Sequence, residues 1–186
     1  MDFTFPSSTV IDLKIRELRP EDYPAIYRIA EVTWNKTFKS ILTSEQINAG
    51  ITSSYTAEAL NTSLAEGQDF IVLTESSHLI AFAAYQKTDK YLAPVYSKKP
   101  VPSSLQLTKL YCLPEFQGKG YGKQLLQKVE DYARAEKLES LHVLVNRQNE
   151  KACEFYKQQG FENIAEINEE YGGFLREDYV FFKRLK

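Results

Sequence analysis

"LPEFQGKGYGKQLL", residues 113–126, sets three glycines, Gly118, Gly120 and Gly122, and two lysines, Lys119 and Lys123, directly ahead of a helical pattern. A helix N-terminus carries N–H groups with no intrahelical partner and a partial positive charge. Glycines ahead of it let successive N–H groups converge on one point without Cβ obstruction. The stretch therefore reads as a cradle for phosphate, with the two lysines adding charge around it. A flexible turn that merely starts a helix gives the same local pattern, so the residues alone leave both readings open. Lys123 is not followed by Ser or Thr, and the spacing is not that of a Walker loop. Nor is it a dinucleotide fingerprint, because the loop lies late and no early strand–glycine-loop–helix unit precedes it.

Outward from the glycines the chain alternates between two periodicities. After Gly122, Leu125, Leu126, Val129 and Ala133 fall on one helical face. Before the loop, "LQLTKLYCL" (105–113) alternates as a strand. Beyond the helix, "SLHVLV" (140–145) predicts a buried strand and "NEKACEFYKQQ" (149–159) a helix closed by Gly160. "FENIAEI" (161–167) and "EDYVFFKRL" (177–185) predict two last strands. Towards the N-terminus, "QDFIVLTE" (68–75) and "HLIAFAAYQK" (78–87) read as a hairpin turning at Ser76 and Ser77. "TSEQINAGI" (43–51) and "TAEALNTSLAEG" (56–67) read as helices, the second stopped by Gly67. "LKIRELRPEDYPAI" (13–26) is a short strand and then a helix start, with Asp22 as cap and Pro24 in the first turn, running to about Phe38. "KTDKYLAPVYSKKPVPSS" (87–104) holds three prolines and predicts a long irregular connection. Strand, helices, three strands, helix, strand, helix and two strands imply an α/β fold, a mixed sheet with helices packed on it.

A chain of 186 residues suits one compact domain, 1–186. With 43% hydrophobic and 26% charged residues it has the composition of a soluble globular protein. A net charge of -2 argues against a broad nucleic-acid surface. No apolar run reaches the roughly 18 residues that span a bilayer, and "MDFTFPSSTVIDLKIREL" lacks the basic patch and apolar block of a signal peptide. Cys112 and Cys153 fit no zinc spacing and sit in apolar patterns. Buried free thiols in a reducing cytoplasm, with no metal, are the expectation.

Two motifs in order carry a family resemblance. Gln117, Gly120 and Gly122 fit Gln/Arg-x-x-Gly-x-Gly/Ala, and Asn149, Ala152, Phe155, Tyr156, Gly160 and Phe161 fit Asn-x-x-Ala-x-x-Phe/Leu-Tyr-x-x-x-Gly-Phe. Together they resemble the GNAT superfamily of CoA-dependent N-acyltransferases, most specifically over residues 105–162. "AEVTWNKTFKSILTSEQI" (30–47) and the tail "EDYVFFKRL" are similar to the bacterial polyamine (spermidine/spermine) acetyltransferase branch. The resemblance implies a mostly antiparallel central sheet whose middle strands splay, with acetyl-CoA lying in the splay. It implies that Cys112 and Leu113 present main-chain groups to the pantetheine arm. Main-chain amides from Gln117 through Gly118, Lys119, Gly120, Tyr121 and Gly122 to Lys123 would hold the pyrophosphate. Asn149, also placed to cap its helix, would reach the pantetheine region. The Tyr156 hydroxyl would meet the CoA sulfur as the thiolate leaves; by pattern alone Tyr156 is a packing aromatic.

The implied reaction is direct attack of a neutral amine on the thioester, with no acyl group carried on Cys112. An alkylammonium has a pKa of about 10.4, so its deprotonation at neutral pH costs roughly 4–5 kcal/mol and calls for a base. Glu31, Glu75 and Tyr111 are candidates by position. Glu31 and Trp34, with Tyr27 and Phe38, lie at helical spacing in the region expected to bind the acceptor, where an aromatic and acidic wall would suit a cationic amine. The acceptor is then a small-molecule amine, a polyamine among them, or a peptide amine. A regulatory module that binds CoA without catalysis is the rival from another class. A homodimer is left open. His78 and His142 carry no assigned role.

Overall fold

The computed structural model describes residues 12–96, 101–171 and 174–185. They form β1 (Leu13–Glu17), α1 (Tyr23–Phe38), α2 (Ser44–Tyr55), α3 (Ala57–Ala65), β2 (Asp69–Glu75), β3 (His78–Lys87) and β4 (Ser104–Cys112). Then follow α4 (Tyr121–Ala135), β5 (Ser140–Asn146), α5 (Glu150–Gln158), β6 (Glu162–Tyr171) and β7 (Phe174–Arg184). The element order matches the sequence pattern. The strands form one mixed sheet in the order β1-β2-β3-β4-β5-β7-β6, antiparallel throughout except between β4 and β5.

Both faces of the sheet are covered, which is why its inner strands read as continuous apolar runs rather than alternating ones. On one face α4 and α5 bury Leu125, Leu126, Val129, Ala133 and Cys153 against Leu73, Ile80 and Val143. On the other, α1, α2 and α3 bury Ile26, Ile29, Ile47, Ile51 and Leu60 against Phe70, Val72 and Phe82. A third cluster forms where the proline-rich connection crosses β7. Leu92 is fully buried there against Val180 and Phe182, in a turn closed by Leu92 N–H to Asp89 O and Tyr96 N–H to Leu92 O. That connection is thus partly a packed cover; its residues 97–100 lie outside the described ones.

Two local expectations have particular outcomes. Ser76 and Ser77 both take positive φ, 48° and 70°, the geometry that matches a two-residue turn to the twist of its hairpin. Asp22 occupies the N-cap position of α1 but does not cap it. Its carboxylate instead takes two hydrogen bonds from Arg16, at 2.6 and 2.8 Å, and one from the Arg19 N–H. The Arg16 guanidinium holds this carboxyl below its usual range. A charge-assisted bidentate pair outcompetes a single cap bond.

One feature of the sheet positions the site. The parallel ladder between β4 and β5 has only four rungs, Ser104↔Ser140 to Leu107↔Val143. Immediately beyond it the β3–β4 register shifts, leaving Thr108 as a bulge whose hydroxyl donates to Ala84 O at 3.0 Å. Bulges bend the strand that carries them. From Thr108 onward β4 follows β3 and leaves β5, and a gap opens between Thr108–Cys112 and Leu144–Asn146.

Candidate active site

The free edge of β4 faces that gap. Main-chain groups of successive strand residues point to opposite edges. The Leu113 N–H donates back to β3, to Ile80 O at 2.9 Å. The groups of Tyr111 point the same way, so those of Cys112 and Leu110 point into the gap. This corrects one expectation: Cys112 presents its main chain to the gap and Leu113 does not present its N–H there. Leu110 is the neighbour that does.

At the mouth of the gap the chain makes a 3-10 turn, Pro114–Phe116, and then the glycine stretch. Gly118 and Gly120 have φ of 80° and 82°. A Cβ on either would meet no protein atom within 4 Å, so the backbone angle, not crowding, demands glycine. Gly120 in this conformation starts α4. Among the described residues, the amides from Gly118 to Lys123 donate to no protein acceptor. The Gln117 amide is different, since it already bonds Pro114 O at 3.3 Å. The Gln117 side chain donates to Cys112 O at 3.0 Å and so ties the loop to the end of β4. Lys119 and Lys123 are exposed beside the loop. The Tyr121 side chain is turned inward, and its hydroxyl donates to Glu75 Oε1 at 2.6 Å. That bond pins the start of α4 to β2 and occupies Glu75, one of the three candidate bases.

From α5 comes Tyr156, 6% exposed. Its ring packs edge-on to Phe155 and Phe161, at 5.1 and 5.4 Å between centroids, and stacks with Phe181 at 6.3 Å. The ring is thus a packing aromatic, as its pattern predicts. Among the described residues its hydroxyl meets no partner, yet it is not among the sealed unpaired polar atoms, which are His142 Nε2 and Arg147 Nε. The hydroxyl is thus not sealed off completely within the core. Burial raises its pKa above the usual tyrosine value, and Tyr111 adds to the shift. Asn149 caps α5, accepting the Ala152 N–H at 3.2 Å, while its side-chain N–H groups meet no protein acceptor among the described residues. The Cys112 thiol is pushed up to about 11, by burial first and by Glu115 second. A thiol so far from ionising is a poor nucleophile.

On the α1–α3 face the gap widens into a cleft of about 370 Å³. Trp34 and Phe38 of α1, Tyr55 of α2 and Tyr111 of β4 form its aromatic wall. The Trp34 indole N–H donates to the Tyr111 hydroxyl at 3.2 Å. Gly50 makes room for this indole, because a Cβ there would lie 2.4 Å from Trp34 Cζ3. Glu31 is placed elsewhere, exposed on α1 and outside the cleft lining. Of the three candidate bases, Tyr111 is the one that lines the cleft. The expected acidic wall is absent from α1. Instead Lys109 of β4, and Arg176 and Asp178 of β7 in an ion pair, line the cleft. Gly50, Thr108, Lys109 and Arg176 were missed in the sequence. The signal that could have found Lys109 is its place two residues before Tyr111, on the same strand face.

A sheet that opens between its parallel pair, with an amide cradle at the mouth of the opening, defines an acyl-CoA N-acyltransferase fold. The chain belongs to the acetyltransferase (GNAT) family, whose pattern it matches over residues 23–161, and is an N-acetyltransferase of that family. It is 28% identical over 151 residues to a spermidine N(1)-acetyltransferase of Thermoplasma acidophilum, covering 81% of this chain and 89% of the relative. The fold is similar to the crystal structure of PaiA N-acetyltransferase from the same organism in complex with coenzyme A. The TM-score there is 0.74 at 23% identity, over 94% of this chain and 99% of that one. A GCN5-related N-acetyltransferase structure from Rhodopseudomonas palustris gives a TM-score of 0.73 at 18% identity, over 96% and 100%. Among the described residues no helix is long and apolar enough to cross a membrane.

Proposed function

We propose that the protein transfers the acetyl group of acetyl-CoA to a primary amine by direct attack. The observation that carries this reading is the run of unpartnered amides from Gly118 to Lys123 at the mouth of the gap between β4 and β5. The amides and the start of α4 suit a pyrophosphate, with Lys119 and Lys123 at its flanks. The Cys112 and Leu110 edge of β4 suits a pantetheine arm lying as an added strand, and the Asn149 side chain has donors for its amides. An N–H on that edge would stabilise the charge that develops on the thioester oxygen. Tyr156 would donate a hydrogen bond to the departing sulfur. Holding both reactants in one cleft would supply much of the rate. Tyr111, ordered by Trp34, is the proposed first link by which the acceptor sheds its proton. Cys112 and Cys153 are both free, and we place the protein in a reducing compartment, the cytoplasm.

The test pairs calorimetric titration of acetyl-CoA with thiol release over an amine panel that includes spermidine, the acceptor named for one relative, and peptides with free amino termini. Micromolar binding with acceptor-dependent release upholds the reading. Binding with no release from any acceptor would leave a CoA-binding module.

A further inference from the structure

The charge on the cleft walls bears on which amine enters. Lys90, Lys109 and Arg176 outnumber Glu177 and Asp178 among the lining residues. Asp178 is paired with Arg176, Lys90 reaches Glu169 at 3.2 Å, and Glu177 lies 4.0 Å from Arg147. Lys109 differs from the other two cations. Among the described residues no carboxylate lies within ion-pair distance of it. Its ammonium donates to Gln68 Oε1 at 2.7 Å, and Gln68 is itself held by donating to Thr108 Oγ1 at 2.9 Å. The same ammonium lies 5.7 Å from the Tyr55 ring centroid and 5.5 Å from that of Phe70. An ammonium has three donors, and Gln68 accepts one of them. A half-buried cation without a counter-ion is a costly thing to keep in a wall unless something else completes it.

We propose that the acceptor is an amine bearing an anionic group, a carboxylate or a phosphonate-type oxyanion, and that Lys109 pairs with that group. The inference rests on the transferase reading and names its substrate class. A polyamine would bring its further ammonium groups into a cleft where the cations are already in excess and the carboxylates are already paired. An amine with an anionic tail supplies the counter-ion that Lys109 lacks. Burial lowers the Lys109 ammonium to about 8, as expected for a desolvated cation that has no anion beside it.

The experiment compares acceptors of similar length: 1,4-diaminobutane and spermidine, the neutral-tailed butylamine, 4-aminobutyrate, and 3-aminopropylphosphonate. Each is titrated calorimetrically against the CoA-loaded protein and assayed for thiol release with acetyl-CoA. The two anionic-tailed amines are expected to bind at least tenfold more tightly than 1,4-diaminobutane, and the ratio between them shows which oxyanion the cleft prefers. Lys109→Met should erase the preference and Lys109→Arg should retain it, with melting curves confirming that both variants fold. Anionic-selective binding with no turnover would uphold the pairing of Lys109 with an anionic group and overturn the reading that the bound amine is the acceptor. Failure of both anionic amines to bind, tighter binding of 1,4-diaminobutane or spermidine, or a preference untouched by Lys109→Met would each overturn the inference.

Discussion

Replacing Tyr156 by phenylalanine removes one oxygen from a ring held on three sides by Phe155, Phe161 and Phe181. That oxygen bonds nothing in the protein among the described residues, so the fold loses no hydrogen bond. Stability should therefore stay within about 0.5 kcal/mol of the parent, or rise slightly. The expected loss is in the reaction. An ordinary tyrosine has a pKa of about 10 and an ordinary thiol about 8.5, so proton transfer to the departing sulfur is uphill by about 2 kcal/mol. Burial raises Tyr156 further, which makes it a donor that keeps its proton. A hydrogen bond to a charged acceptor contributes about 1.5–3 kcal/mol, and each 1.36 kcal/mol is tenfold in rate. The single-turnover rate of Tyr156→Phe should thus fall roughly 10- to 150-fold. Acetyl-CoA affinity should change much less, because the bond strengthens only as the thiolate forms. The assay is rapid-mixing thiol release at saturating acetyl-CoA, with calorimetry for affinity and a melt for folding. A folded variant that turns over within twofold of the parent would remove Tyr156 from the mechanism.

Gly120→Ala forces a Cβ into a φ of 82°, at a cost of about 1–2 kcal/mol, and should weaken acetyl-CoA binding about tenfold; undiminished affinity by calorimetry would count against the cradle. Gly50→Ala places a Cβ at 2.4 Å from the Trp34 ring. The indole must move away from Tyr111, so stability should drop by about 1–3 kcal/mol and the Michaelis constant of the acceptor should rise. Trp34 is the chain's one tryptophan, so an unshifted emission spectrum in that variant would contradict the contact. His142 is fully buried, with Nδ1 2.8 Å from Ser104 Oγ and Nε2 unpaired. Burial lowers its pKa from 6.5 to about 4. The unfolded chain therefore binds the extra proton first, and stability present above pH 6.5 is lost as pH falls towards 4. Urea unfolding should show a loss of roughly 2–3 kcal/mol between pH 7.5 and 4.5. An equally steep acid limb in His142→Asn would assign the loss to other groups.

What the sequence determined by itself is what neighbouring residues settle among themselves. The face of α4 is fixed by Leu125, Leu126, Val129 and Ala133, each at most 2% exposed, because helical periodicity depends only on spacing. The glycine loop is legible for the same reason: residues 117–123 are contiguous, and Gly118 and Gly120 answer to backbone angles set within the loop. Asn149 as cap and Gly160 as stop, with φ of 83°, are equally local. Where a distant group competes, local reading stops. Asp22 looks like a cap until Arg16 on the preceding strand takes its carboxylate.

The cleft beside β4 belongs to the tertiary structure. It exists because the bulge at Thr108 turns β4 away from β5 after four rungs, and a bulge depends on the partner strand's register. Glu31 and Trp34 lie only about 4.5 Å apart along the axis of α1, yet the cleft begins at Trp34, so the depth at which α1 meets the gap chose between them. Lys109 reads as one more polar residue in an alternating strand. Only the assembly of α2, β4 and β7 makes it a cation beside an aromatic wall, since no spacing along one chain segment encodes what faces it from another.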